Sequence, residues 1–228
     1  MQLSEIDHAT AFTDIVDRRV STRAFLADPL PRADIERALA LACHAPSNCN
    51  TQPWMIAVAS AAVRDRLAAG ISAEMMAGRI KPDLPYDGRY QGLHRERQIA
   101  AAETLYATLG IARDDKLRRQ AQFMENYAFF GAPHVAFFFL PAGCGVREAA
   151  DLGMCAQTFM LALASMGHGS CPQTSLSFHP DLVRAEFGLA PESQLLFGVS
   201  FGRVDTTAVV NRVRVPRDLE RCTLIREA

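Results

Sequence analysis

Between residues 146 and 167 the chain is apolar almost all round once past Asp151, with Leu152, Met154, Cys155, Phe159, Met160, Leu161, Leu163 and Met166 covering every helical azimuth. A helix without a polar face has to be covered on every side, within a core or by a second chain. Gly153, Ala156, Ala162 and Ala164 are small enough to let other helices approach closely. The segment therefore predicts a long buried helix and a dimer core. Residues 54–59, 134–140 and 195–202 are equally apolar but short, and they predict strands buried on both faces. With 228 residues, 49% of them hydrophobic, the chain has enough apolar material to bury a sizeable core.

The remaining segments read mostly as helix. A short helix is predicted over 11–19, and the breaker Asp28-Pro29-Leu30-Pro31 precedes another over 32–45, where Ile35, Leu39 and Ala42 share one face. Helices at 61–79, 91–110 and 114–130 are interrupted by a Pro- and Gly-bearing loop at 81–88, and a short helix covers 180–187. Charged runs at 89–97 and 113–119 read as solvated helix faces. Tyr86, Tyr90, Phe123 and Tyr127 read as core aromatics in preference to pocket walls. No repeat or domain boundary is visible. The pattern predicts an α+β fold in one domain spanning 1–228, with a helical excursion roughly over 61–130.

Several function classes are set aside by composition. A net charge of -1 gives no case for nucleic acid or an anionic membrane surface, and no apolar run is long enough to span a bilayer. The first residues carry Glu5, Asp7 and Asp14 without an apolar block, which predicts a cytoplasmic protein. The six cysteines form no CxxC pair and have no ligand-spaced histidine, so neither a zinc site nor a disulfide scaffold is expected. Cys49 and Cys171 lie in candidate site loops but lack a histidine partner, and neither is assigned as a nucleophile. His168 and His179 read as surface or capping residues.

Four segments carry chemistry. Ala45-Pro46-Ser47-Asn48-Cys49-Asn50-Thr51-Gln52-Pro53-Trp54 has two fixed φ angles and many short polar groups, which suits gripping a flat ligand with donors and acceptors along its edge. Arg19, Ser21 and Arg23 interleave guanidinium forks with hydroxyls, which suits an anion site, although by charge alone the segment reads as a solvated cationic turn. A second polar loop, Gly167-His168-Gly169-Ser170-Cys171-Pro172-Gln173-Thr174-Ser175, follows the apolar helix. Near the end, Arg212 and Arg214 fall on one face of an extended segment. Converging arginines call for a phosphate, and convergent Asn, Gln and Ser groups call for a heterocycle. A flavin mononucleotide answers both.

The order and spacing of these segments resemble the FMN-dependent nitroreductase family. The resemblance rests on Arg19-x-Ser21-x-Arg23, on Pro46-Ser47-x-x-Asn50-x-Gln52-Pro53-Trp54, on Cys171-Pro172-Gln173, on Phe201-Gly202-Arg203 and on Arg212-x-Arg214 in register, over residues 11–217. The Gly-Ser-Cys-Pro-Gln segment and the 199–202 strand look closest to the nitrobenzoate-reductase-like branch. The resemblance implies a central mixed β-sheet flanked by helices, in an intertwined homodimer whose FMN sites are shared across the interface. Arg19 and Ser21 match contacts to the FMN phosphate and ribityl chain, and Arg23 matches a cation beside the pyrimidine edge of the ring. Pro46, Ser47, Asn48, Asn50 and Gln52 match a loop that reaches the cofactor from the other subunit. Pro172, Gln173 and Thr174 match a loop whose backbone lies against the flavin and donates an N–H to its reactive nitrogen. Arg212 and Arg214 match a second pair of phosphate contacts. Asn48-Cys49 departs from the smaller residues common in that loop, and the substrate lid, expected within 70–130, has no alignable motif.

The activity so implied is ping-pong transfer of hydride from NAD(P)H, as co-substrate, through FMN to a nitroaromatic, a quinone or a similar flat acceptor. No side chain is required as general base, so no catalytic residue is named and no metal is expected. No G-x-G-x-x-G is present, so the nicotinamide donor is expected to bind at the flavin itself. The competing readings are a flavin-dependent dehydrogenase or dehalogenase of another metabolite, a flavin-binding protein without turnover, and an interaction protein whose arginines are simply solvated.

Overall fold

A computed structural model describes residues 7–219 and 221–226. Its helices are α1 (His8–Arg18), α2 (Arg32–Ala42), α3 (Ala61–Met76), α4 (Gly92–Thr108), α5 (Lys116–Met124), α6 (Val146–Ser165) and α7 (Pro180–Phe187). Its strands are β1 (Met55–Ser60), β2 (His134–Leu140), β3 (Gly169–Gln173) and β4 (Gln194–Gly202), in the spatial order β1-β2-β4-β3. The architecture is α+β, and α3, α4 and α5 form the excursion between β1 and β2. No helix among the described residues is long and apolar enough to cross a membrane.

The sheet divides the core into two layers. All seven residues of β2 are buried, and they alternate between the layers as a pleated strand must. Ala136, Phe138 and Leu140 meet Leu152, Cys155, Phe159 and Leu163 of α6, with Ala38 and Ala42 of α2 closing the edge. Phe138 stacks on Phe197 with centroids 5.1 Å apart, and Phe159 stands edge-on to Phe201 at 5.3 Å, both favoured aromatic geometries. Val135, Phe137 and Phe139 face the other way, onto Leu67 and Ile71 of α3, Tyr127, Leu176 and Val183.

Several expectations are corrected. The sheet is antiparallel in all three strand pairings, and its single parallel element among the described residues is the isolated Ser21–Ser170 bridge. The arginine segment touches the sheet edge there, pairs antiparallel at Phe25–Val204 and then leaves, too briefly to add a parallel strand. In keeping with the expected second chain, α6 leaves Ala150, Met154, Gln157 and Ser165 exposed within the single chain. The segment 167–175 is a loop only up to His168, and from Gly169 it pairs with β4 as the edge strand β3. Its short polar residues carry no strand signal of their own, and the pairing is tertiary. Of the four aromatics assigned to the core only Tyr127 is buried. Tyr86 and Tyr90 lie outside any helix and are 45% and 48% exposed, and Phe123 is 38% exposed at the end of α5. His168 Nε2 donates to the Asp34 carboxylate at 2.9 Å, and His179 is buried at the N-cap position of α7, so neither is a free surface group.

His134 ties the loop before α2 to the sheet. The Leu30 N–H donates to its Nε2 at 2.8 Å, which leaves the ring proton on Nδ1, 2.5 Å from Ser60 Oγ. Burial pulls the pKa of His134 below its ordinary value of 6.5, with His168 adding to the effect, and burial does the same for His179 against the pull of Glu74. As pH falls through 6.5 the unfolded chain takes up these protons and the native chain does not, so native stability is lost on acidification. Thermal melts should show the melting temperature falling between about pH 7 and about pH 5.5, with a shallower slope in His134→Gln, and an unchanged slope in that variant contradicts the assignment. Packing gives a second expectation. A Cβ on Gly198 would lie 2.7 Å from Leu176 Cδ1, inside a fully buried layer. Gly198→Ala should cost about 1–3 kcal/mol by overpacking, read as a lower urea midpoint.

Candidate functional site

The segment from Arg18 to Phe25 lies along the outer edge of β3. The Thr22 N–H donates to the Ser170 carbonyl at 3.0 Å, and the contact is close enough that a Cβ on Gly169 would meet Thr22 Oγ1 at 2.6 Å. From the other side Asn211 clamps the segment. Its Oδ1 accepts from the Arg23 N–H at 2.7 Å, and its Nδ2 donates to the carbonyls of Ala24 and Asp205, each at 2.8 Å. The C-terminal arginines are thereby held beside the N-terminal ones, although the Arg23–Asn211 contact spans 188 residues of sequence.

Arg19, Arg23, Arg212, Arg214 and Arg217 gather around this segment, and none makes an ion pair within 4 Å among the described residues. Arg19 is half-buried, and its guanidinium hydrogen-bonds to no protein group among the described residues. Burial lowers its pKa, and Arg217 lies close enough to lower it further. Arg23 reaches only the Ser21 carbonyl, at 3.3 Å, and it lines a cleft of about 440 Å³ with Arg118 and Glu125. Arg212 and Arg214 line a cleft of about 620 Å³ with Arg18, Val20 and Thr22, on the opposite parity of the segment from Arg19 and Ser21. Arg214 satisfies one nitrogen on the carbonyls of Asn211 and Val213. Elsewhere arginines find carboxylates, as Arg184 does with Asp83 at 2.7 Å and Arg79 with Glu74 at 2.6 Å. A cation cluster left uncompensated within a folded chain is stabilised by an external anion.

Strand β3 presents its residues in alternation. Cys171 and Gln173 are buried, whereas Pro172 and Thr174 are exposed. The Ser170 carbonyl points to the outer edge, so period two aims the Pro172 carbonyl the same way. The Thr174 N–H opens the following 3₁₀ turn, Thr174–Phe178, and such first donors have no partner within the turn. The Gln173 side chain is unavailable to a ligand. Its Nε2 donates to Asn126 O at 2.9 Å, and its Oε1 accepts from Ser200 Oγ. Only its backbone can take part. Cys171 sits between Ser21, Arg19 and Arg23, yet burial pushes its thiol up to about 11, so it stays protonated at neutral pH. It fills space, and its thiol donates weakly to the Pro172 carbonyl at 3.9 Å.

The loop 46–52 stands apart from this cluster on the surface of the chain. Cys49, Asn50 and Gln52 all adopt left-handed backbone, at φ 49°, 56° and 48°. Such conformations cost non-glycine residues about 1–2 kcal/mol each, with asparagine the cheapest. Two anchors hold them: the Asn48 N–H donates to the buried carboxylate of Asp151 on α6 at 3.1 Å, and the Gln52 N–H donates to Ser47 Oγ at 3.0 Å. Pro46, Asn48, Asn50 and Gln52 remain exposed and Ser47 half-exposed, a rigid polar edge with nothing in its own chain to grip. Sequence reasoning missed Asp151 and Asn211. Asp151, the last acid before the apolar run, was the one with a readable signal.

The chain matches the Nitroreductase family over residues 16–203. It belongs to that family. It is 46% identical over 213 residues to nitroreductase NfnB of Mycolicibacterium smegmatis, covering 93% of this chain and 91% of that one. It is 33% identical to a 4-nitrobenzoate reductase of Pseudomonas putida, covering 91% and 92%, so the nitrobenzoate-reductase-like branch fits. The crystal structure of FMN-dependent NfnB from Mycobacterium smegmatis in complex with NADPH superposes with a TM-score of 0.93 at 44% identity, covering 97% of this chain and 100% of that one.

The docking of the arginine segment can be tested directly. Gly169→Ala should push Thr22 off the edge strand. Hydrogen exchange should then show lost protection at the Thr22 amide, with β2 and β4 amides unchanged. Retained protection at Thr22 contradicts this geometry.

Proposed function

We propose that the protein is an NAD(P)H-dependent FMN nitroreductase, a single FMN-binding domain that passes reducing equivalents to a nitroaromatic, a quinone or a similar flat acceptor. The observation that carries this reading is the uncompensated arginine cluster beside an edge strand with free backbone groups, in a chain closely similar to FMN- and NADPH-dependent enzymes. The residues fit the cofactor. Arg19 and Ser21 would offer a fork and a hydroxyl to a phosphate and ribityl chain, and Arg212 and Arg214, which line the neighbouring cleft with Val20 and Thr22, are the second pair that the family resemblance assigns to the phosphate. Arg23 supplies positive charge at the pyrimidine edge of the ring. The Pro172 carbonyl and the Thr174 N–H offer an acceptor and a donor along one line, with the Gln173 backbone between them.

Bound there, FMN supplies the hydride chemistry between donor and acceptor. The chain's own groups position and polarise. Arg23 would favour negative charge on a flavin ring held beside it, and the 3₁₀ turn fixes the Thr174 donor. Cys171, protonated at neutral pH, takes no covalent part, and no side chain is needed as a general base.

The exposed loop with Pro46, Ser47, Asn48, Asn50 and Gln52 gains a role in a homodimer, where it grips the flavin of the other subunit. Exposed apolar side chains on adjoining helices support that assembly: Phe12 and Val16 on α1, Leu41 on α2 and Met154 on α6. We place the enzyme in the cytoplasm, where its six cysteines, all free in the fold, stay reduced.

Anaerobic mixing of the FMN-loaded protein with NADPH should bleach the flavin absorbance, and a nitroarene should restore it. Colour that persists with both NADPH and NADH favours a flavin-binding protein without turnover. Arg212→Ala with Arg214→Ala should weaken FMN retention by about tenfold or more, since charge-assisted contacts are lost. The loss should shrink the dependence of affinity on salt, and unchanged FMN affinity contradicts the assignment. Sedimentation should give a dimer, whereas a monomer that binds FMN tightly contradicts the shared site.

A further inference from the structure

Gln173 stands where β3 ends and the 3₁₀ turn begins, and its buried side chain is held at both ends. The ladder pairs Gln173 with Gly198, which offers no side chain, so the amide runs diagonally to the fully buried Ser200 on β4. The Ser200 hydroxyl donates to Gln173 Oε1. Gln173 Nε2 donates to the Asn126 carbonyl at 2.9 Å and to Asn126 Oδ1 at 3.3 Å. Asn126 is oriented in its turn, because its Nδ2 donates to the Phe123 carbonyl at 2.9 Å and its own carbonyl also accepts from the Phe129 N–H at 3.2 Å. A buried amide satisfied in this way has one orientation, which a leucine of the same size would not have. A peptide unit is planar, so the direction of the Thr174 N–H follows from the backbone angles of Gln173 and of Thr174 itself. Pairing with β4 ends at Gln173, whose φ of -138° and ψ of 105° are still those of a strand. Past that point the side-chain amide continues the hold that the ladder gives up. Asn126 also follows Glu125, which lines the cleft of Arg23. One amide thus joins the turn that carries the Thr174 donor to the segment that flanks Arg23.

We propose that the Gln173 side chain is a positioning residue for flavin reduction: braced between Ser200 and Asn126, it fixes the direction of the Thr174 N–H offered to the flavin's reactive nitrogen. This rests on the flavin reading above and deepens it, because it gives the reduction step a side chain that never touches the ring. A donor aimed in advance costs no reorganisation when charge develops on its acceptor. The amide supplies that aim from the protein interior, on the side of the strand away from the ligand.

The test compares FMN-loaded wild-type protein with Gln173→Leu, Ser200→Ala and the double variant. Hydrogen exchange reads the Thr174 amide, fluorescence titration reads FMN affinity, and stopped-flow mixing with NADPH reads the limiting rate of flavin reduction. In each single variant the Thr174 amide should exchange about tenfold faster and flavin reduction should slow by about tenfold, with FMN affinity held within about twofold. The double variant should be no worse than Gln173→Leu, since Ser200 acts through Gln173. Gln173→Glu supplies a rescue, because a protonated carboxyl donates to the Asn126 carbonyl and accepts from Ser200 as the amide does. Its rate relative to wild type should rise as pH falls from about 8 to about 6, burial having raised the pKa of the new carboxyl. Wild-type exchange and reduction rates in Gln173→Leu and Ser200→Ala overturn the proposal, and so do losses confined to FMN affinity or additive in the double variant. If Gln173→Leu does not fold, Ser200→Ala and Gln173→Glu decide the matter by the same readouts. Wild-type protein whose bound FMN neither NADPH nor NADH reduces overturns the functional reading itself, an outcome seen without any variant.

Discussion

The hydrogen bond from the Thr22 N–H to the Ser170 carbonyl, 3.0 Å long, holds the site together. It docks an arginine-bearing segment onto the free edge of a sheet whose other strands are packed between two layers. An exposed edge strand is ordinarily a liability, open to pairing with another chain. Here the first residues of the edge are covered by the protein's own N-terminal segment, while Pro172 and Thr174 beyond it are exposed. Glycine at position 169 is a condition of that contact, since any side chain would strike Thr22 and Val204.

The electrostatic logic follows from that docking. Cations brought together by a sheet edge and by the Asn211 clamp repel, and the packing of the two core layers offsets their proximity. The uncharged Cys171 beneath them does not relieve the repulsion, because burial keeps its thiol protonated. An anion relieves it. The cation cluster is thus strained on its own, and the left-handed residues Cys49, Asn50 and Gln52 form a second strained element, anchored by Asp151.

The legibility of the sequence followed the physics of each element. Strand β2 and helix α7 were readable to the residue, the first because six apolar residues in a row suit only burial on both faces, the second because Pro180 and Gly188 bracket it. Helix α6 was readable in length but not in surroundings, since the outward stripe through Met154 and Gln157 is visible only once the other elements are placed. Strand β3 was not legible, because Gly169, Ser170 and Pro172 have no strand preference and pair through tertiary contact alone. Arg19, Ser21 and Arg23 could be singled out by spacing. Gln173 was singled out too, but its side chain proved to be spent on Asn126 and Ser200.

The most direct test of the account is a crystal structure of the protein grown with FMN. The account predicts the phosphate within hydrogen-bond distance of Arg19 and Ser21, with the ring edge along the backbone of Pro172 and Thr174. A flavin bound elsewhere, with Arg19 still unpartnered, would contradict it.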